Sequence, residues 1–202
     1  MSQSLSPARS EARHRQPTSN LFQTEWRISQ PETQQYFVEN LFSLAIIQKR
    51  TRTKITMDLL YNQLNTKEIP FIINLLEENL PSVLHTTCYN DFDLPFNEEV
   101  RHTEIGHLFE HILLEYLCQH KIKKGARQAT YAGRTKWNWD REPMGRFHIH
   151  LNCGSKDADI LPPALEQTVN LMKIILGYKQ PLFISNANQT APNGLKNGER
   201  RW

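Results

Sequence analysis

HTEIGHLFEHILLEYL, residues 102–117, sets two histidines around a glutamate in the order H-x-x-E-H and follows them with a second glutamate. At about 100° per residue, His107, Glu110, His111, Leu114, Glu115 and Cys118 share one face of a helix. Ile105, Phe109, Ile112 and Tyr116 fall on the other side, a stripe suited to sealing the helix against a sheet. Two readings of the polar face stay open. It is the solvated side of an ordinary amphipathic helix, or it is a metal site. Histidines one turn apart can aim ring nitrogens at a single point, as Zn2+ requires, and a glutamate between them stands where activated water needs a proton acceptor. The order H-x-x-E-H is the inverzincin pattern, the reverse of H-E-x-x-H.

On the metal reading His107 and His111 are ligands and Glu110 is the catalytic general base. Two imidazoles do not complete a tetrahedral site, so a third protein ligand is expected. Glu115 lies on the right face as a candidate ligand, but about 12 Å along the axis from His107, where direct ligation is strained and a hydrogen bond that orients His111 is the alternative. His148 and His150, which alternate onto one face of FHIHL, and Glu166 are further candidates; each has a plain alternative as a solvated sheet or helix position. His85, His102 and His120 are weaker still.

Working outward, LFSLAII (41–47) and KITMDLL (54–60) read as a β-hairpin around the polar QKRTRT. IPFIINLLEENLP (69–81) reads as a helix between two prolines. VLHTTCY suits a third strand and DFDLPFNEE a loop. ARQATYAG and GRFHIHL alternate like strands around a loop RTKWNWDREPM, and ILPPALEQTVNLMKIIL (160–176) has helical spacing. The order, without internal repeats, predicts one α+β domain: a mostly antiparallel sheet with about three helices packed on it. Residues 1–35 and 179–202, rich in Ser, Gln, Asn and Gly, read as tails too polar to build a core, leaving 36–178 for the domain.

The 202 residues carry a net charge of +3. Residues 1–30 hold +2 and residues 178–202 hold +3, leaving −2 between them. The basic excess thus lies in the tails and not on a folded face, which argues against a nucleic-acid partner. No apolar run reaches membrane-spanning length and the polar N-terminus lacks a secretory pattern, so a soluble, cytoplasmic protein is expected. Cys88, Cys118 and Cys153 are far apart, and read as free thiols, either buried or bystanders.

Taken together, IPFIINLLEENLPSVLHTTC, then GHLFEHILLE, then AGRT and GRFHIHL resemble the N-terminal domain of cyanophycin synthetase in order and spacing. Gly106, His107, Glu110, His111 and Glu115 hold the family's G-H-x-x-E-H-x-x-x-E element, and Gly133, Arg134 and Thr135 its Gly-Arg-Thr turn. The likeness covers roughly residues 40–176. In that family an ATP-grasp ligase domain and a Mur-ligase-like domain follow; 202 residues leave no room for them, so ligase activity is not implied. What the resemblance implies is a domain that holds an aspartate-arginine peptide polymer and, in some members, trims it at a zinc-peptidase site. His148, His150 and Asn152 depart from the family's strand, where fewer histidines and an acidic residue are expected.

Two functions follow as expectations. One is a zinc-dependent peptidase or amidase in which Arg134, Arg141 or Arg146 docks acidic groups of the polymer. The other is a non-catalytic polymer- or partner-binding module with Trp137 and Trp139 as aromatic anchors, although two tryptophans so close can equally cap the core. A separate ligase subunit or a second copy of the chain is the expected protein partner.

Overall fold

Alternation of apolar and polar side chains builds the sheet. In the computed structural model, which describes residues 24–30, 33–60, 62–89, 94–177 and 198–201, the hairpin is formed by β3 (Phe42–Gln48) and β4 (Thr53–Leu59). Leu44 pairs with Met57 and Ile46 with Ile55, all buried, while Ala45, Lys54 and Thr56 face the other way. The register is fixed because a one-residue slip would turn every one of these apolar groups outward. β6 (Arg146–Leu151) continues the pattern on β4, setting Phe147 beside Met57 and Ile149 beside Ile55.

Among the described residues, four more strands and four α-helices complete the order. β1 (Thr24–Gln30) and β2 (Thr33–Val38) extend one side of the sheet, and β5 (Gly133–Trp137) and β7 (Gly198–Arg201) the other. The seven strands run β1-β2-β3-β4-β6-β5-β7, and every pairing is antiparallel. The helices are α1 (Ile72–Asn79), the single turn α2 (Phe96–Glu99), α3 (Ile105–Lys123) and α4 (Leu161–Gly177). Three of them exceed one turn. The α+β architecture with a mostly antiparallel sheet is therefore the one the sequence predicts.

Helix α3 holds the quoted stretch and crosses the inner face of the sheet over β5 and β6. Gly106 makes the approach possible: a Cβ there would meet Phe147 Cδ1 at 2.6 Å and its Cβ at 2.8 Å. The helix ends where Lys124 and then Gly125, at φ +97°, turn the chain out of helical geometry, the usual role of a glycine in that position. His120, Lys121 and Lys123 in the last turn suit the negative end of the helix dipole.

Three local expectations change. VLHTTCY is not a strand; a 3-10 turn over Pro81–His85 occupies its start, because Pro81 begins the turn and Val83 and Leu84 are buried under it. ARQATYAG has no strand before Gly133, and the strand instead occupies the start of RTKWNWDREPM. There Thr135 and Trp137 are buried, and Arg134 and Lys136 are half-exposed, a period of two that fits a sheet. DFDLPFNEE ends in α2, with Phe96 buried. The sheet also reaches into both segments read as tails, through β1 and the start of β2 on one side and β7 on the other; residues 1–23 and 178–197 lie outside the described residues. Among the described residues, no helix is long and apolar enough to cross a membrane.

Candidate metal centre

The solvated-face reading of α3 is overturned by burial. Residues 105–114 are all buried, and His107, Glu110 and His111 have no exposed surface. The stripe of Ile105, Phe109 and Ile112 is sealed as expected, but a second layer covers the polar side as well. That layer is the Pro81–His85 turn with the residues after it, and α2. Burying two imidazoles and a carboxyl costs free energy unless each finds a partner, so their surroundings are informative.

The imidazoles find one another, two hydroxyls and a thiol. His107 Nε2 and His111 Nε2 face each other at 3.2 Å, and Cys88 Sγ lies 3.7 Å from His107 Nε2. The three donor atoms of Cys88, His107 and His111 all lie within 4.8 Å of one another. A tetrahedral zinc ion with bonds of about 2.0 Å to nitrogen and 2.3 Å to sulfur sets ligand separations of about 3.3 Å for N···N and 3.6 Å for N···S. The separations of 3.2 Å and 3.7 Å are close to those values, and Cys88 and His111 lie within 4.8 Å of each other. On the far side of each ring, His107 Nδ1 is 2.7 Å from Thr103 Oγ1 and His111 Nδ1 is 3.0 Å from Thr86 Oγ1. Phe96 stacks on His111, ring centroids 3.7 Å apart and planes 10° from parallel, and lies edge-on to His107. Burial, and after it the neighbouring His107, holds the His111 pKa well below the ordinary histidine value, so the ring is neutral as a metal ligand must be.

Glu110 points to a different neighbour. Thr135 Oγ1 on β5 donates to Glu110 Oε2 in a short hydrogen bond, and Glu110 Oε1 is buried with no hydrogen-bond partner among the described residues. A Cβ at Gly133 would lie 2.5 Å from that second oxygen, so the glycine of the Gly-Arg-Thr turn makes room for the carboxylate. Desolvation raises the Glu110 pKa to about 8, against smaller lowering effects from the Thr135 bond and the charge of Arg134.

The other expected residues are dispersed. Glu115 is half-buried, accepts a hydrogen bond from Gln119 Nε2 at 3.2 Å, and stays outside the ligand cluster. His148 and His150 belong to the sheet face opposite α3, where Glu142 holds His148 Nε2 at 2.8 Å. Arg146 is tied to Asp58 through two hydrogen bonds of 2.6 and 3.0 Å. Trp137 is 5% exposed and packs on Trp139 and Phe147, which is the core-capping alternative and leaves little ring surface for a polymer. The sequence places Cys88 among buried or bystander thiols and Thr135 in the Gly-Arg-Thr turn, with no site role for either, and gives Thr86 and Thr103 no signal of their own. A cysteine nineteen positions before the first histidine has no ligand spacing to recognise.

Residues 54–153 match the family described as the cyanophycin synthase-like N-terminal domain. The match begins in β4, spans α3 and β5, and ends just past β6, so it contains the whole candidate centre. No curated protein and no solved structure matches the chain.

Proposed function

We propose that this domain is a zinc-dependent peptidase or amidase acting on an aspartate-arginine peptide polymer, with Cys88, His107 and His111 as the metal ligands and Glu110 as the general base. One observation carries the reading: a thiol and two imidazoles converge within 4.8 Å of one another, with the His107–His111 and Cys88–His107 separations close to those a tetrahedral zinc ion would impose. Zinc in such a site supplies a Lewis acid and brings the pKa of water in an open fourth position to about 7. The chain's own residues supply the rest. Glu110 is held at one oxygen by Thr135 and leaves the other without a partner among the described residues; burial alone would keep it protonated below about pH 8, and the positive charge of a bound zinc ion would favour the carboxylate that a general base requires. Arg134 pairs with His150 on the sheet face opposite α3, so its side chain is not placed to dock substrate carboxylates at this centre. Arg146 is engaged by Asp58 and Trp137 by the core, so neither keeps that role.

A non-catalytic polymer-binding module is favoured by a different observation. His107, Glu110 and His111 are wholly buried and Cys88 is 8% exposed, a degree of closure that suits a metal holding the fold together. The experiment that separates the two measures zinc in protein purified without chelators, then cleavage of an aspartate-arginine polymer by wild type and Glu110→Gln. The enzyme reading expects about one zinc per chain, cleavage by wild type, and a loss of about a hundredfold in the variant with zinc retained. Bound zinc without cleavage selects the module. Absence of zinc defeats the enzyme reading and leaves the module, which needs no metal.

A further inference from the structure

The hydroxyl of Thr86 can give its proton to one acceptor only, and that acceptor is fixed. Thr86 Oγ1 donates to Val83 O at 2.7 Å, closing the 3-10 turn of residues 81–85. With its proton committed, the oxygen can meet His111 Nδ1, 3.0 Å away, only as an acceptor, so Nδ1 carries the hydrogen. The neutral ring then has its lone pair on Nε2, the atom facing His107 Nε2 and the cluster with Cys88.

Thr103 is a different partner. Its hydroxyl lies 2.7 Å from His107 Nδ1, and its backbone is anchored independently, with Thr103 N–H donating to Thr66 Oγ1 at 3.0 Å and Thr66 Oγ1 donating to Thr103 O at 3.2 Å. Nothing commits the Thr103 hydroxyl proton elsewhere among its described hydrogen bonds, so it can donate to His107 Nδ1 or accept from it. The 3.2 Å contact between the two Nε2 atoms needs one hydrogen when no cation lies between them. Because His111 Nε2 has none, that hydrogen belongs to His107.

We propose that Thr86 is a positioning residue that holds His111 in the tautomer required for metal ligation, while Thr103 serves His107 in either tautomer. The inference rests on the metal reading above and assigns to Thr86 the orienting role that sequence spacing suggests for Glu115. It also gives the segment 81–88 two jobs: Cys88 supplies a donor atom and Thr86 sets the direction of another.

The test replaces Thr86 with Val, which keeps the branched shape and removes the hydroxyl, and with Ser, which restores it. Long-range proton-nitrogen correlation spectra of the metal-free protein report the tautomer of each ring, and competition with a chromophoric chelator reports zinc affinity. Wild type and Thr86→Ser should hold His111 with its hydrogen on Nδ1, and Thr86→Val should lose that preference. Zinc affinity should fall about 10–100-fold in Thr86→Val and recover in Thr86→Ser. Unchanged spectra and affinity in a folded Thr86→Val overturn the inference and leave the metal reading standing. Should Thr86→Val fail to fold, the His111 tautomer in wild type decides: hydrogen on Nε2 refutes the role. If wild type binds no zinc, both readings fall together.

Discussion

Two histidine pairs in this chain look alike on paper and differ in every physical respect. His107 and His111 lie one helical turn apart on α3; His148 and His150 alternate on β6. The helical pair is wholly buried, each ring is given a hydroxyl at Nδ1, and the two Nε2 atoms converge with a thiol. The strand pair is half-exposed on the open face of the sheet, where His148 is held by Glu142. Burial first, and then Lys54, His148, Arg134 and Lys136, lowers the pKa of His150. Residue type and spacing say that both pairs can bind a metal. Only the second layer over α3 decides between them, because convergence requires donors from two segments distant in sequence.

The sharpest contrast is in metal content. Replacing His107 and His111 together by Ala should abolish bound zinc, whereas replacing His148 and His150 together should leave its stoichiometry unchanged, as elemental analysis by mass spectrometry would report. Retention of zinc in the first variant, or its loss in the second, would reverse the assignment.

The buried carboxyl beside the helical pair should make the metal-stripped protein pH-sensitive. The Glu110 pKa is raised from 4.5 to about 8 in the fold, so between those values the native state binds a proton that the unfolded chain has released. Stability contributed by this group is then greatest below about pH 4.5 and is lost as pH rises toward about 8. Urea titrations at several pH values should show a decline in wild type that is flattened in Glu110→Gln. A parallel decline in both would place the effect elsewhere.

Packing should separate the two faces in the same way. Gly106→Val forces a side chain into Phe147 and should cost about 3 kcal/mol in denaturant unfolding. Ala45→Val, on the half-exposed face of β3, should fall within about 0.5 kcal/mol of wild type. At the bottom of the scale, Glu142→Gln removes a partly exposed partner of His148 and should change stability by less than about 1 kcal/mol, with zinc content unaffected.

How much of this could be read from sequence follows from range. The hairpin β3-β4, helices α1, α3 and α4, strand β6 and the α+β class were legible because alternation and helical periodicity are local signals. The strand β5 was misplaced because ARQATYAG alternates too, and only the need for Gly133 beside Glu110 marks where pairing with β6 begins. The burial of the polar side of α3 was illegible for a related reason. Its cover comes from the Pro81–His85 turn and α2, short elements whose apolar residues Val83, Leu84 and Phe96 show no period. His107, His111 and Glu110 were found by their spacing on one helix; Cys88 and Thr86 were not, since nothing in their own neighbourhood points toward α3, and Thr103 and Thr135, though quoted in the helix stretch and the Gly-Arg-Thr turn, show no type or spacing that marks a site role.

The claim on which all of this turns is that Cys88, rather than Glu115 or a strand histidine, completes the centre with His107 and His111. X-ray absorption at the zinc edge tests it most directly, because sulfur and nitrogen scatter at separable distances. The account predicts one sulfur at about 2.3 Å and at least two nitrogens at about 2.0–2.1 Å in wild type, with the sulfur gone in Cys88→Ser. A zinc shell of nitrogen and oxygen alone in wild type, or a sulfur that persists in Cys88→Ser, would contradict it.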